Sequence, residues 1–340
     1  MEGSKLVPIM IDSGRKISKS EPAVEPRTFS QYQLLEEHVE TFLDGNLDVL
    51  FAGDPDAQSL LQVGRQVPNE YKGECDLVAL DSNGCLVIIE IKRDPKDARA
   101  RVEAFEIQAI RYASSFMRIS TPEELVEQVY APYLMKYQSE ELAGNDAHIY
   151  ATGKMNDFLR GNKCRGSFNN KQRIILVASG FDPETKSACA WLVKNGIDVS
   201  CIQISPLEHS GHSFLLVERI IPPPALEEML SKVTTRKVVR PVLPGNGGER
   251  PKKAKLPTTQ EMFEQGQLKA GDTVIIKDRP NSTATVVDYR YVSYQDKAYS
   301  WNAWAKEITK WSAVNIYANV MMNGKTLDEL RGNTDLEGDV

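Results

Sequence analysis

Cysteine is scarce in this chain and badly spaced for either of its structural uses. Five cysteines stand among 340 residues, an odd number with no C-x-x-C pair, which argues against both a disulfide framework and a zinc site. Cys75, Cys85, Cys189 and Cys201 fall in apolar patterns, as buried thiols do, and the expected compartment is the reducing cytoplasm. Long hydrophobic runs are missing too. No stretch reaches eighteen apolar residues, so no transmembrane helix and no membrane partner are expected. Met1-Glu2-Gly3-Ser4-Lys5 opens the chain without a signal-peptide core. Of the four histidines, His209 and His212 flank Ser210-Gly211 with no third ligand nearby, which reads as a solvent loop rather than a metal site. An overall basic charge is also absent: the net charge is −6, a mild argument against phosphate-neutralising surfaces. Bases are unevenly placed, however, with Lys92, Arg93, Lys96, Arg99, Arg101 and Arg111 close together in the sequence.

The length suffices for two domains, each with its own core. Residues 1–28 are polar, contain proline and read as loose. Residues 29–224 carry the regular patterns of a first domain. Ser30 to Phe51 reads as a capped amphipathic helix with Leu34, Leu35, Val39, Phe42 and Leu43 on its apolar stripe and Gly45-Asn46 as a stop. Residues 97–117 show helical spacing. Residues 121–163 read as mostly helical, opened by Thr121 as N-cap with Pro122 in the first turn. Arg173 to Ala178 is a buried strand, Asp182 to Asn195 a helix closed by Gly196, and Val199 to Ile204 and Phe214 to Ile220 are further strands. Residues 225–256, rich in Pro, Gly, Lys and Arg, read as a basic linker unable to bury a core. A small α+β domain is expected over 257–332, with strands at Thr273–Ile276 and Thr283–Tyr289 and a Ser300-capped helix, followed by an acidic tail over 333–340.

The richest segment runs from Glu74 to Lys92. Glu74 to Leu80, the turn Asp81-Ser82-Asn83-Gly84 and Cys85 to Lys92 read as a hairpin, since Asn-Gly between Val/Ile/Leu-rich flanks is turn chemistry. Alternation along a strand puts Glu90 and Lys92 on one face, roughly 6.7 Å apart. The hairpin returns Asp76 to the same end. Two carboxylates and a lysine therefore meet at one point, and burying such charges without a purpose is expensive. Asp76 and Glu90 are hard oxygen ligands suited to Mg²⁺ (or Mn²⁺), the backbone carbonyl of Ile91 can complete the shell, and Lys92 can orient a water and hold developing charge.

Asp76, thirteen residues, then Glu90-Ile91-Lys92 resembles the PD-(D/E)xK nuclease superfamily, with Cys75 where its Pro would stand. Gln108 and Tyr112, one helical turn apart on the following helix, resemble the Gln-x-x-x-Tyr pair of its RecB-like branch, where that pair faces the active site and helps hold DNA phosphates. The upstream helix, Gly64-Arg65-Gln66 and the hairpin are similar in order to NucS-type endonucleases, in which a helix glutamate adds a metal ligand. Glu36 is favoured for that role over Glu40, one turn away. The C-terminal segment resembles the RAMA domain, which is associated with restriction enzymes and adenine methylases. The likeness rests on Gly271-Asp272, the helix start at Ser300, Asn315 before Tyr317, and Thr326-Leu327 to Leu330-Arg331. These resemblances imply an α/β restriction-endonuclease-like mixed sheet flanked by helices, plus a small reading domain. They imply a Mg²⁺- or Mn²⁺-dependent DNA endonuclease of bacterial restriction or anti-phage type, acting as a homodimer. In that expectation Arg65, Arg93 and Arg111 meet DNA, and Trp301 and Trp304 stack on a base. The alternatives are a repair nuclease for mismatched or branched DNA and an inactive DNA-binding or interaction protein.

Overall fold

The computed structural model describes residues 9–11, 17–19, 24–51, 58–70, 73–93, 104–222 and 256–332. The expected linker over 225–256 falls almost wholly outside the described residues. So do the tail over 333–340 and the bases Lys96, Arg99 and Arg101. The chain divides into two compact units, one of residues 1–222 with 305–315 and one of residues 223–304 with 316–340.

The first unit is built on a mixed seven-stranded sheet flanked by helices. β1 (Ile9–Ile11) and β2 (Ile17–Lys19) form a separate antiparallel pair. β3 (Glu25–Pro26) joins the main sheet, so the expected loose N-terminal segment contributes an edge to the fold. β4 (Leu60–Pro68), β5 (Glu74–Asp81) and β6 (Leu86–Lys92) are antiparallel to one another. β7 (Gln172–Ala178) lies parallel to β6, and β8 (Asp198–His209) parallel to β7. β9 (His212–Ile221) returns antiparallel on β8 through a tight turn at Ser210-Gly211, where the solvent loop was expected. β5 and β6 are apolar almost without interruption because both faces of the sheet are covered.

One face packs Val39, Leu43, Leu47 and Leu50 onto Leu77, Ala79, Val87, Ile89, Ile175 and Ile202. Another cluster sets Phe105 and Ala109 of the helix Phe105–Phe116, with Cys189 of the helix Pro183–Lys194, against Ile174, Leu176, Val199 and Cys201. The expected helix from Ser30 is shorter than its apolar pattern. Gln33 at φ +55° breaks the chain after a 3-10 turn over Phe29–Tyr32, and the α-helix runs only from Glu36 to Gly45. Leu35 and Phe42 are exposed in consequence. The Thr121 cap forms as read: its Oγ1 accepts the N–H of Glu124 at 3.1 Å, with Pro122 in the first turn. No helix among the described residues is long and apolar enough to cross a membrane.

The second unit carries a six-stranded antiparallel sheet in the order β13-β12-β11-β10-β14-β15. These strands are β10 (Thr273–Ile276), β11 (Arg279–Val286), β12 (Tyr291–Tyr294), β13 (Lys297–Ser300), β14 (Val320–Met322) and β15 (Lys325–Thr326). Alternation along β11 buries Ser282, Ala284 and Val286 and exposes the residues between them. Arg331 is buried over the Tyr317 ring at 3.7 Å and paired with Asp328 at 2.6 Å.

Residues 305–315, read from the sequence as part of the C-terminal domain, belong to the first unit. Leu60 and Ala313 exchange both backbone hydrogen bonds, at 3.0 and 3.1 Å. Ser312 Oγ accepts the N–H of Gln62, and Ser59 Oγ accepts that of Asn315, each at 2.9 Å. Lys306 pairs with Asp48 at 2.6 Å. The Trp311 ring stands edge-on to Phe158 at 4.9 Å and lies over Gly161, where a Cβ would come within 3.0 Å of it. Trp311→Ala is therefore expected to destabilise the first unit by about 3 kcal/mol through the void it leaves. Urea unfolding of the full chain measures this, and an unchanged midpoint for the first unit's transition would contradict the assignment.

Candidate active site

The turn between β5 and β6 decides which side chains end up together. Asp81 Oδ1 accepts the N–H groups of Asn83 and Cys85 at 2.9 Å each, and Gly84 takes φ +84°. The strands leave this turn in the register Leu80↔Leu86 through Leu77↔Ile89. One step further, Asp76 meets Glu90 across the pair, and Asp76 Oδ2 accepts the N–H of Ile91 at 2.7 Å. Lys92 Nζ donates to Glu90 Oε1 at 3.0 Å and to the Ile91 carbonyl at 2.6 Å. It lies 3.4 Å from Glu36 Oε1 and 3.8 Å from Asp76 Oδ2. Lys92 is 1% exposed and Glu90 0%. The Phe105 ring, 5.2 Å from the ammonium, walls it in.

The helix Glu36–Gly45 brings two further carboxylates. Ligand oxygens of Glu36, Glu40 and Asp76 all lie within 4.8 Å of one another. The sequence favoured Glu36 alone, whereas the fold brings both glutamates to Asp76, with Glu40 the more deeply buried. Four carboxylates thus face two cations, Lys92 and Arg65, the latter 3.8 Å from Glu40. Burial, followed by the neighbouring Glu90 carboxylate, pushes Asp76 well above the usual carboxylate range, and the pull of Lys92 and of the Ile91 N–H does not restore it. Burial also raises Glu40, against the lowering effects of Gln66 and Arg65. Among the described residues, carboxylates at the centre outnumber cations. A donor set made of carboxylate oxygens suits a hard divalent cation such as Mg²⁺ or Mn²⁺.

Gln66, which the sequence offers only within Gly64-Arg65-Gln66 and without a role of its own, joins the site. It lies on β4 between the pairs Arg65↔Leu77 and Val67↔Cys75, opposite Asp76. Its Nε2 donates to Glu40 Oε2 at 2.7 Å and to Asp76 Oδ1 at 3.3 Å. Its backbone sits at φ +48° in the middle of a strand, a conformation that costs a residue with a Cβ about 1–2 kcal/mol. No local pattern marks such a residue, since glycine or asparagine would be the usual signal.

The remaining candidates divide by environment. Gln108 Nε2 donates to the Tyr112 hydroxyl at 3.1 Å, so the expected pair does share a helix face. The Tyr112 hydroxyl lies against Gly73, where a Cβ would approach it to 2.7 Å. Arg65 is turned inward. It donates to Thr41 Oγ1 at 2.8 Å, lies 3.7 Å from Asp44 and stacks over Tyr137 at 5.0 Å, so it braces Glu40 rather than reaching for DNA. Asp44 also accepts the Tyr133 hydroxyl at 3.0 Å, a connection that a separation of 89 positions hides from sequence reading. Arg93 donates to the Leu34 carbonyl at 3.0 Å, and Arg111 is exposed. Trp301 and Trp304 are buried in the second unit, edge to face at 6.4 Å, and neither offers a face to a base. The aromatic spacing that suggested stacking was that of a core.

Asp76→Asn keeps an oxygen for the Ile91 N–H and removes one of the crowded charges. Thermal unfolding after chelation should show this variant at least as stable as the wild type. Mn²⁺ at a hundredfold excess over its Kd should stabilise the wild type by about 2.7 kcal/mol and leave the variant nearly unmoved. A wild type indifferent to Mn²⁺ would exclude a metal centre here. Comparison of the chain with protein-family models, with curated proteins and with solved structures gives no match, so the site's chemistry has to be argued from its own geometry.

Proposed function

We propose that this chain is a divalent-metal-dependent DNA endonuclease of the PD-(D/E)xK kind, of restriction or anti-phage type. The observation that carries the reading is the convergence of Glu36, Glu40, Asp76 and Glu90 on the buried Lys92. A structural role accounts poorly for an excess of carboxylates over the described cations Lys92 and Arg65, because each buried carboxylate costs desolvation that ion pairing repays only in part. Phosphodiester hydrolysis uses such a set directly. Glu36, Glu40, Asp76 and Glu90 would hold Mg²⁺ or Mn²⁺, with the Ile91 carbonyl beside them. The ion would supply neutralisation of the phosphate and a water of lowered pKa.

The chain's own groups take the remaining tasks. Lys92 Nζ, fixed by Glu90 and the Ile91 carbonyl, directs N–H donors toward the acidic centre, where they orient the attacking water and stabilise charge on the phosphate. Gln108 and Tyr112 offer an amide and a hydroxyl for phosphate oxygens. Arg111, exposed on the same helix, supplies a cation for the DNA backbone. Choice of DNA, including any modified base, falls in this proposal to the second unit. Its exposed rings, such as Tyr291, take the part that the buried tryptophans do not. A homodimer would bring two centres to the two strands.

The test is cleavage of matched unmodified and base-modified phage DNAs with Mg²⁺ or Mn²⁺, by the full chain and by Lys92→Ala. The wild type should cut, and the variant should lose about 10²–10³-fold in rate or more while its circular dichroism is unchanged. Equal cutting of all DNAs would remove the modification-reading role. Cutting that survives in Lys92→Ala would place the chemistry elsewhere, and no cutting of any DNA would remove the nuclease assignment. A deletion near residue 230 is a poor substitute for point variants, because it strips Trp311 and Ala313 from the first unit.

A further inference from the structure

Resting on the metal-dependent reading above, we infer that Gln66 is the positioning residue of the centre. In this assignment its amide sets the separation of Glu40 and Asp76, and its left-handed backbone is what aims that amide. Three observations meet at this residue. Its Nε2 reaches two carboxylates from two different elements, Glu40 on the helix and Asp76 on β5, at 2.7 and 3.3 Å. Second, a strand residue facing Asp76 in ordinary extended geometry would send its side chain up or down with the pleat. The φ of +48° departs from that geometry at this residue, while the register on either side remains unbroken. Third, glycine would relieve the backbone at no cost in space, yet a glutamine stands here against the local preference.

The flanking residues support the same role. A bulge between Gln62 and Gly64 already twists β4 just before this point. Gly64 admits no side chain, because a Cβ there would come within 2.7 Å of Val67 and 2.8 Å of Val129. Arg65, seated among Thr41, Asp44 and Tyr137, lies 3.8 Å from the same Glu40 oxygen. Glu40 is gripped by consecutive residues of one strand, and Asp76 is gripped by Gln66 and the Ile91 N–H. Two mutually repelling carboxylates are thereby presented side by side before any cation arrives. That is preorganisation of a ligand pair by the groups behind it. Gln66 touches no reacting atom in this assignment and acts only through Glu40 and Asp76.

Gln66→Gly and Gln66→Met test the inference together. Glycine removes both the amide and the strain. Methionine removes the amide, keeps the length and keeps the strain. Mn²⁺ binding followed by electron paramagnetic resonance, urea unfolding, and the Mn²⁺ dependence of single-turnover DNA cleavage are measured on the full chain. Both variants are expected to bind Mn²⁺ about 10- to 100-fold more weakly. The half-saturating Mn²⁺ for cleavage should rise by the same factor, and the rate at saturating Mn²⁺ should recover to near the wild-type value. Gln66→Gly should unfold at a urea midpoint no lower than that of the wild type, which separates positioning from a merely structural role. If the wild type binds Mn²⁺ and Gln66→Gly binds it equally well, the assignment of Gln66 is overturned and the metal centre stands. A lowered maximal rate at unchanged half-saturation would overturn it as well. If the wild type itself binds no Mn²⁺, the metal-dependent reading fails and the role of Gln66 fails with it.

Discussion

The antiparallel register of β5 on β6 is the constraint on which the acidic centre depends. Side chains in a sheet alternate, so a slip of one residue would send Asp76 to the opposite face from Glu90 and Lys92. Two devices hold the register. At one end Asp81 closes the turn on Asn83 and Cys85. At the other, Asp76 itself accepts the N–H of Ile91. Between them runs a block of Leu, Val, Ala and Ile buried on both faces, which leaves the choice of register to these two hydrogen-bonded ends. The same carboxylate that stands in the acidic centre therefore also fastens the strand pair that presents it.

Around this pair the electrostatics are deliberately unfinished. Lys92 answers three carboxylates at 3.0 to 3.8 Å, and Arg65 answers a fourth. Burial and mutual repulsion leave Asp76 and Glu40 reluctant to ionise. Such a centre gains more from a doubly charged ion than an evenly paired cluster would, because the ion relieves repulsion as well as forming its own contacts. Phe105 and the apolar floor of the sheet keep the local dielectric low, which magnifies that gain.

Much of this was legible in the sequence, for identifiable reasons. Turn residues and strand alternation are local, so the hairpin and the meeting of Asp76, Glu90 and Lys92 follow from a window of about twenty residues. The Thr121 cap is equally local. What depends on distant partners was not legible. The helix that carries Glu36 and Glu40 begins late because Gln33 turns left-handed, which its residue type does not advertise. Gln66 acquires its place only when β4, β5 and the helix are assembled. Trp301 and Trp304 could be read from the sequence as core or as stacking rings, because an aromatic stripe is the same for both, and burial alone distinguishes them.

The return of residues 305–315 to the first unit has a consequence for how the protein is made. Leu60 finds Ala313, and Phe158 finds Trp311, across a stretch that includes most of the second unit's sequence. On the ribosome, residues 223–315 follow the last strand of the main sheet by roughly 5–20 s at ordinary elongation rates. Throughout that interval the nascent first unit has β4 in hand but no partner for Leu60 and no ring to cover Phe158. Its completion is timed by translation of the other unit's sequence, so the first unit reaches full packing only after residues 223–315 have been synthesised.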